Sequence, residues 1–199
     1  MIDKYKTIAA PAQGYFMDRG SKFYSFAYPI ATEQDVKDIL RQLQKKYHDA
    51  RHIVYAFVLG QDGSLSRASD AGEPSGSSGP PVLRTIKSMG LTNVMVAVVR
   101  YFGGKKLGIP GLINAYGSAA RQALENAQII EKIIMTDYQI RCEYNRISTV
   151  MNAIEKAGGK IISQEYGADC QIIASVPVSS ADGFEQRLRQ FRIELMKLQ

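Results

Sequence analysis

The stretch LTNVMVAVVRYFGG, residues 91–104, decides the fold. Residues 91–99 are almost continuously apolar, which is typical of a β-strand buried on both faces. The strand leads into a loop, RYFGGKKLGIPGL (residues 100–112), and then into a helix with Pro110 predicted at its first position, N1. A loop between the carboxyl end of a strand and the amino end of a helix is a common ligand position, so we expect a site there.

Charge is distributed unevenly around this stretch. Residues 74–124 contain no Asp or Glu but six basic residues: Arg84, Lys87, Arg100, Lys105, Lys106 and Arg121. Because the formal net charge of the chain is +6, this segment carries all of it. Such a surface favours a polyanionic partner such as RNA.

Upstream, the sequence predicts further elements of the same domain. Aromatic residues at 22–28 predict a strand, and Thr32 is the expected N-cap of a helix with apolar residues at helical spacing. Residues 51–59 predict a buried strand, and a hairpin turn leads to a short strand at 64–66. The loop SDAGEPSGSSGPP, residues 69–81, is expected to be ordered and non-helical, because a helical pattern resumes directly at Val82.

The last third has a different character. Residues 135–199 contain eight Lys or Arg and eight Asp or Glu, in the predicted order strand, helix, strand, strand, helix, with a final short strand. This order matches a ferredoxin-like sandwich. The sequence therefore predicts an α+β protein with domains at 1–130 and 135–199, connected by residues 128–134.

Several functional classes are not favoured. No apolar run is long enough to span a membrane, and residues 1–11 lack the apolar stretch of a signal peptide, so we expect a cytoplasmic protein without membrane contacts. Cys142 and Cys170 are expected to be buried reduced thiols. His48 and His52 lack metalloprotease spacing, so we expect neither a metal nor another cofactor.

The lysine-containing loop resembles a phosphate-binding loop only in part. Gly103 and Gly108 have G-x-x-x-x-G spacing, but Ile109 and Pro110 follow where a Walker A motif needs Lys and Ser or Thr. Two interpretations remain open. Glycine amides, including that of Gly104, lysines and a helix N-terminus hold a phosphate or a nucleic-acid backbone, or the loop is a structural turn with solvated lysines.

Asp70 and Glu73 are the acidic residues of the first loop. They are interpreted as acid–base or metal-binding groups, as caps of backbone amides, or as partners of Arg100 or Lys105. Ser75 and its neighbours lack the G-x-S-x-G context of a nucleophile, so they are expected to bond backbone or an anion. His52 is expected either to form a hydrogen bond or to face a ligand. Tyr101, Phe102 and Tyr116 are expected either to stack bases or to pack.

These two loops resemble the signature of the Impact family, the YigZ-like proteins. The resemblance rests on SDAGEPSG (residues 69–76), VVRYFGGKKLG (98–108) and GLINAY (111–116), and the chain departs from the usual pattern at Pro80 and Asn114. It implies an N-terminal fold similar to ribosomal proteins and GHMP kinases. It also implies a C-terminal domain similar to domain V of elongation factor G.

Two functions follow as hypotheses. In the first, the chain is a non-catalytic binding protein, with a role in translational regulation, that engages RNA, the ribosome or another polyanion. In the second, it is an enzyme or a sensor for a small phosphorylated or nucleotide-like ligand. The residues expected to bind are His52, Asp70, Glu73, Ser75, Arg100, Tyr101, Gly103, Gly104, Lys105, Lys106, Gly108 and Arg121.

Overall fold

A computed structural model describes residues 3–198, which form two compact units. The N-terminal unit is Tyr5–Lys132, and the C-terminal unit runs from Ile133 and includes residues 3 and 4. The α+β class with antiparallel sheets is confirmed. The domain limits 1–130 and 135–199 and the likenesses to particular folds stay predictions.

The N-terminal unit contains seven strands and three helices among its described residues. In chain order these are β1 (Lys4–Ile8), β2 (Ala12–Asp18), β3 (Ser21–Pro29), α1 (Glu33–Lys46), β4 (His52–Leu59), β5 (Leu65–Ser69), α2 (Gly79–Ser88), β6 (Val94–Tyr101), α3 (Gly108–Glu125) and β7 (Ile129–Ile133). Strands β2 to β6 form one sheet in the order β2-β3-β6-β4-β5, and β1 pairs with β7. The apolar β6 lies at the centre, as residues 91–99 predicted.

The central sheet is covered on both faces. Along β6, Val96, Val98 and Arg100 lie on the face that packs against α2 and α3, while alternate residues such as Val99 pack with α1. This alternation follows from the two-residue period of a strand. Because both faces of β6 are buried, its residues are apolar up to Val99. Arg100, near the end of the strand, is a charged residue on a buried face, and the candidate site lies there.

α1 and α2 begin at residues suited to the start of a helix. Thr32 and Asp35 form a reciprocal capping box at α1, as the sequence predicted for Thr32. The expectation that residues 79–81 are non-helical is wrong, because Gly79 and two prolines form the first turn of α2, where a missing N–H costs nothing. Pro110 lies at the third rather than the first position of α3. The third position is also in the first turn, where a missing N–H costs nothing.

Three strands were not predicted. β1 and β2 lie before residue 20, and β7 occupies most of the segment 128–134 that was expected to be a connection. β7 is short and largely exposed, so its sequence IIEKI lacks a buried-strand pattern. Its pairing with β1, far away in the sequence, is what makes it a strand.

The C-terminal unit contains β8 (Met135–Cys142), α4 (Ile147–Lys156), β9 (Lys160–Tyr166), β10 (Cys170–Pro177), α5 (Ala181–Gln190) and β11 (Glu194–Lys197). Its antiparallel sheet has the order β11-β8-β10-β9, and both helices contribute to one buried core. This is the β-α-β-β-α-β order that the sequence predicted, final strand included. Cys142 and Cys170 are free, buried and paired in register.

Within residues 3–198, no helix is long and apolar enough to cross a membrane.

Candidate functional site

The site is built on one row of the central sheet. Arg100 at the end of β6 is in register with Phe23 of β3 on one side and with His52 of β4 on the other. The Arg100 guanidinium lies over the Phe23 ring, 5.6 Å from its centroid, and 5.7 Å from that of Phe102. A cation between two aromatic rings is stabilised by their π faces, so the row holds Arg100 in a defined position.

A buried carboxylate neutralises Arg100. Glu73 Oε1 accepts a hydrogen bond from Arg100 Nη1 at 2.7 Å and another from the Tyr116 hydroxyl at 2.7 Å. The side chains of Arg100 and Glu73 are 9% and 4% exposed. Burial and the bond to Glu73 together raise the pKa of Tyr116 far above its usual range, so the phenol remains a donor. Of the open interpretations of Glu73, the ion pair with Arg100 is the one observed.

Asp70 acts as a long-range cap. Its Oδ1 accepts from the backbone of Ser78 at 3.0 Å, from the Ser78 hydroxyl at 2.8 Å and from the backbone of Gly79 at 2.8 Å. Its Oδ2 accepts from the backbone of Gly76 at 2.8 Å. Burial alone would raise the pKa of Asp70, but these bonds outweigh it and hold the pKa below its usual value. A carboxylate at the N-terminus of α2 also complements the helix dipole.

His52 is oriented by the same loop. Its Nδ1 lies 2.9 Å from the carbonyl oxygen of Ala71. Because a carbonyl only accepts, we assign the proton to Nδ1, which leaves Nε2 of the neutral ring as an acceptor. Ala71 and Gly72 both adopt positive φ, 48° and 87°, which brings the carbonyl to the imidazole.

Beside this row lies a cleft of about 670 Å³. It is lined by Asp49, Arg51, His52, Arg100, Tyr101, Phe102 and Lys106. The Tyr101 hydroxyl donates to Asp49 Oδ1 at 2.7 Å, a bond that raises the pKa of Tyr101 to about 12 and lowers that of Asp49. The Phe102 ring is 59% exposed. The cleft combines aromatic surface with basic groups at its edge.

The lysine loop, residues 102–107, leaves the cleft toward α3. Gly103 packs so closely on the turn between β2 and β3 that a Cβ there would overlap the backbone of Gly20 and Ser21. Gly104 and Gly108 adopt positive φ, at 88° and 71°. The glycines therefore have structural reasons, whereas Lys105 and Lys106 are exposed, and the described residues provide no ion pair for either.

The structure separates the residues expected to bind. His52, Arg100, Tyr101 and Lys106 line the cleft, but Arg121 lies in another groove, between α2 and α3, with Arg84. Asp70 and Glu73 are engaged with the protein itself, and Gly103, Gly104, Lys105 and Gly108 belong to the loop and the start of α3 beyond it. Ser75 is exposed in the first loop and does not line the cleft.

Among the lining residues, Asp49 and Arg51 were not expected to bind, and Phe102 was expected either to stack bases or to pack. Asp49 and Arg51 precede β4, and Phe102 follows β6, so the antiparallel register of these strands brings them together. The alternation of side chains between the two faces of β6 is the sequence signal that could have identified this row of the sheet. It places Arg100 with His52 on one face, where the apolar pattern of both strands is interrupted.

Comparison with known proteins confirms the family resemblance. Residues 19–124 match the Impact N-terminal domain, and residues 140–191 match a domain of unknown function (DUF1949). The chain is similar to "IMPACT family member YigZ" of Escherichia coli (strain K12), with 30% identity over 92% of this chain and 91% of that protein. It is also similar to "IMPACT family member YvyE" of Bacillus subtilis (strain 168), with 26% identity over 94% and 86%. A crystal structure of a hypothetical protein superposes on all of this chain and 99% of that one, with a TM-score of 0.76 and 28% identity.

Proposed function

The chain belongs to the IMPACT family, and from that premise we propose that it is a non-catalytic protein that binds RNA, in contact with the ribosome, and acts in translational regulation. The binding surface is the basic face formed by the cleft and the lysine loop of the N-terminal unit. We place this activity in the cytoplasm, as the sequence predicts.

One observation carries the proposal: the acidic groups of the signature are engaged internally, whereas its two lysines and the neighbouring Arg51 face solvent. Asp70 caps backbone amides and Glu73 neutralises Arg100, so neither is positioned as a free acid, base or metal ligand. Arg51, Lys105 and Lys106 are exposed, and no ion pair engages them within residues 3–198. Proteins that bind single-stranded nucleic acids usually combine exposed cations with aromatic rings.

The test is a charge reversal with a matched control. K105E/K106E removes the exposed charges of the lysine loop, while K156E/K160E makes the same change of net charge at exposed lysines of the C-terminal unit. Fluorescence anisotropy with single-stranded RNA measures affinity at several salt concentrations. If both lysines contact phosphates, the first double variant binds more weakly and its salt dependence falls by about 1.4 in log–log slope. Equal binding by both double variants and the wild type contradicts the proposal.

A second function is favoured by the cleft itself. Its 670 Å³ lies within the range of small-ligand sites, about 300–1,000 Å³. His52 Nε2 is left without a partner among the described residues, so it is available to a bound molecule. In this alternative the protein senses, or acts on, a small phosphorylated or nucleotide-like compound. A thermal-shift screen then finds a compound that stabilises the wild type but not H52A.

A further inference from the structure

We infer that the cleft holds a single unstacked nucleotide, with its base on Phe102 and its phosphate at Arg51 and Lys106. The inference rests on the proposed function, which it makes specific: the partner strand is unpaired at the point of contact. A base inside a duplex is stacked on both faces and is not available to a protein ring.

Phe102 has the properties of a stacking platform. It is 59% exposed although it is a large apolar ring. It is also held in place, because its ring lies 5.7 Å from the guanidinium carbon of Arg100, which is itself fixed by Glu73 and by Phe23. An exposed but positioned aromatic residue on a basic loop stacks bases without preference for sequence.

The guanidinium of Arg100, which lines the cleft, is not fully paired by the protein. The Nε of Arg100 is buried and has no hydrogen-bond partner among the described residues, although Nη1 is engaged by Glu73. Buried donors are nearly always paired. Arg100 therefore keeps unused hydrogen-bonding capacity in the wall of the cleft, although Nε itself is closed to solvent.

The polar side chains that line the cleft suit different parts of a nucleotide: some suit its phosphate and others suit its base. Arg51 and Lys106 are exposed cations that suit a phosphate. Asp49 is the acidic residue among the described lining, and like His52 Nε2 it is an acceptor, so both suit the amino or imino donors of a base. The apolar ring lies within the same lining, so one nucleotide engages all three kinds of group.

The inference is tested with variants of Phe102 and with altered RNA. The probes are an unstructured single-stranded RNA of twelve nucleotides and the same strand with its bases removed. F102A should bind the intact strand about 5- to 150-fold more weakly than the wild type, and F102W should restore binding. The control is M17A on β2, whose side chain is 58% exposed and does not line the cleft; it should bind as the wild type does. The abasic strand should bind the wild type and F102A equally.

The outcomes separate this inference from the RNA function. If the intact strand binds, but equally to the wild type and F102A, the nucleotide site is wrong while the RNA function stands. If the strand does not bind at all, the RNA function is wrong. Calorimetry with the four nucleoside monophosphates then decides the site. If a nucleoside monophosphate binds the wild type but not F102A, the nucleotide site is supported and its ligand is a free nucleotide. If none of the four binds the wild type, the nucleotide site is wrong.

Discussion

Replacing Glu73 by Gln tests whether the ion pair with Arg100 holds the loop. The substitution keeps the size of the side chain and an oxygen that accepts from Tyr116, so it removes mainly the charge. Arg100 is only 9% exposed, and removing one partner of a buried pair costs about 3–5 kcal/mol. We expect E73Q to lower the free energy of unfolding of the N-terminal unit by about 3 kcal/mol, because the acceptor to Tyr116 is retained.

The chain offers a matched control for this change. Glu33 pairs with Arg67 at 2.8 Å, but the two side chains are 40% and 60% exposed. Since exposed pairs contribute about 0–1 kcal/mol, E33Q should have almost no effect.

Native-state hydrogen exchange of the β6 amides is the appropriate assay. It reports unfolding of the N-terminal unit alone, whereas a single denaturation curve mixes the two units. If E73Q and E33Q change the free energy of unfolding by the same amount, below about 1 kcal/mol, then Glu73 does not stabilise the loop through its charge and the assignment is refuted.

Two further predictions concern the same loops. Because the pKa of Asp70 is lowered in the folded state, its contribution is present above its unfolded pKa of about 3.9 and is lost as the pH falls through the folded value. D70N should therefore be less stable than the wild type at pH 7 and lose less stability between pH 5 and 3, as measured by native-state hydrogen exchange of the β6 amides; parallel profiles would contradict this. G103A should lower the free energy of unfolding by more than about 3 kcal/mol, because its Cβ would overlap backbone. G104A should cost about 1–2 kcal/mol, since Gly104 has positive φ but open surroundings. Similar free energies of unfolding for the two variants, from hydrogen exchange of the β6 amides, would contradict the close packing of Gly103.

The sequence predicted those strands and helices whose pattern of apolar side chains indicates which faces are buried. β6 is apolar throughout, and α1 carries both its cap and its helical spacing, so local pattern was sufficient for each. β2 was missed because Gly14 interrupts it. A Cβ at Gly14 would overlap the backbone of Ala123 in α3, so the glycine allows the helix to approach the strand. A residue required by tertiary packing therefore had the appearance of a strand breaker.

The sequence singled out the two loops but did not determine the bonds between them. Both loops were recognisable from their glycines, prolines and charges. The two hydrogen-bond partners of Glu73, however, are distant in the sequence: Arg100 is 27 residues away and Tyr116 is 43 residues away. No local pattern chooses between a free carboxylate and a buried ion pair at that separation. The choice depends on how the loop between β5 and α2 folds over the end of β6, where Glu73 meets Arg100.

The structure separates the signature into residues that maintain the loops and residues that remain available. Asp70, Glu73 and Gly103 bond or pack against their own chain, so their identities are explained by folding. Phe102 packs against the Arg100 guanidinium but is 59% exposed, and Lys106 is exposed as well. Neither side chain is part of the buried core, so both are available to the nucleotide proposed above. A planar, anionic nucleotide matches both, because it presents a face to the ring and a charge to the lysine.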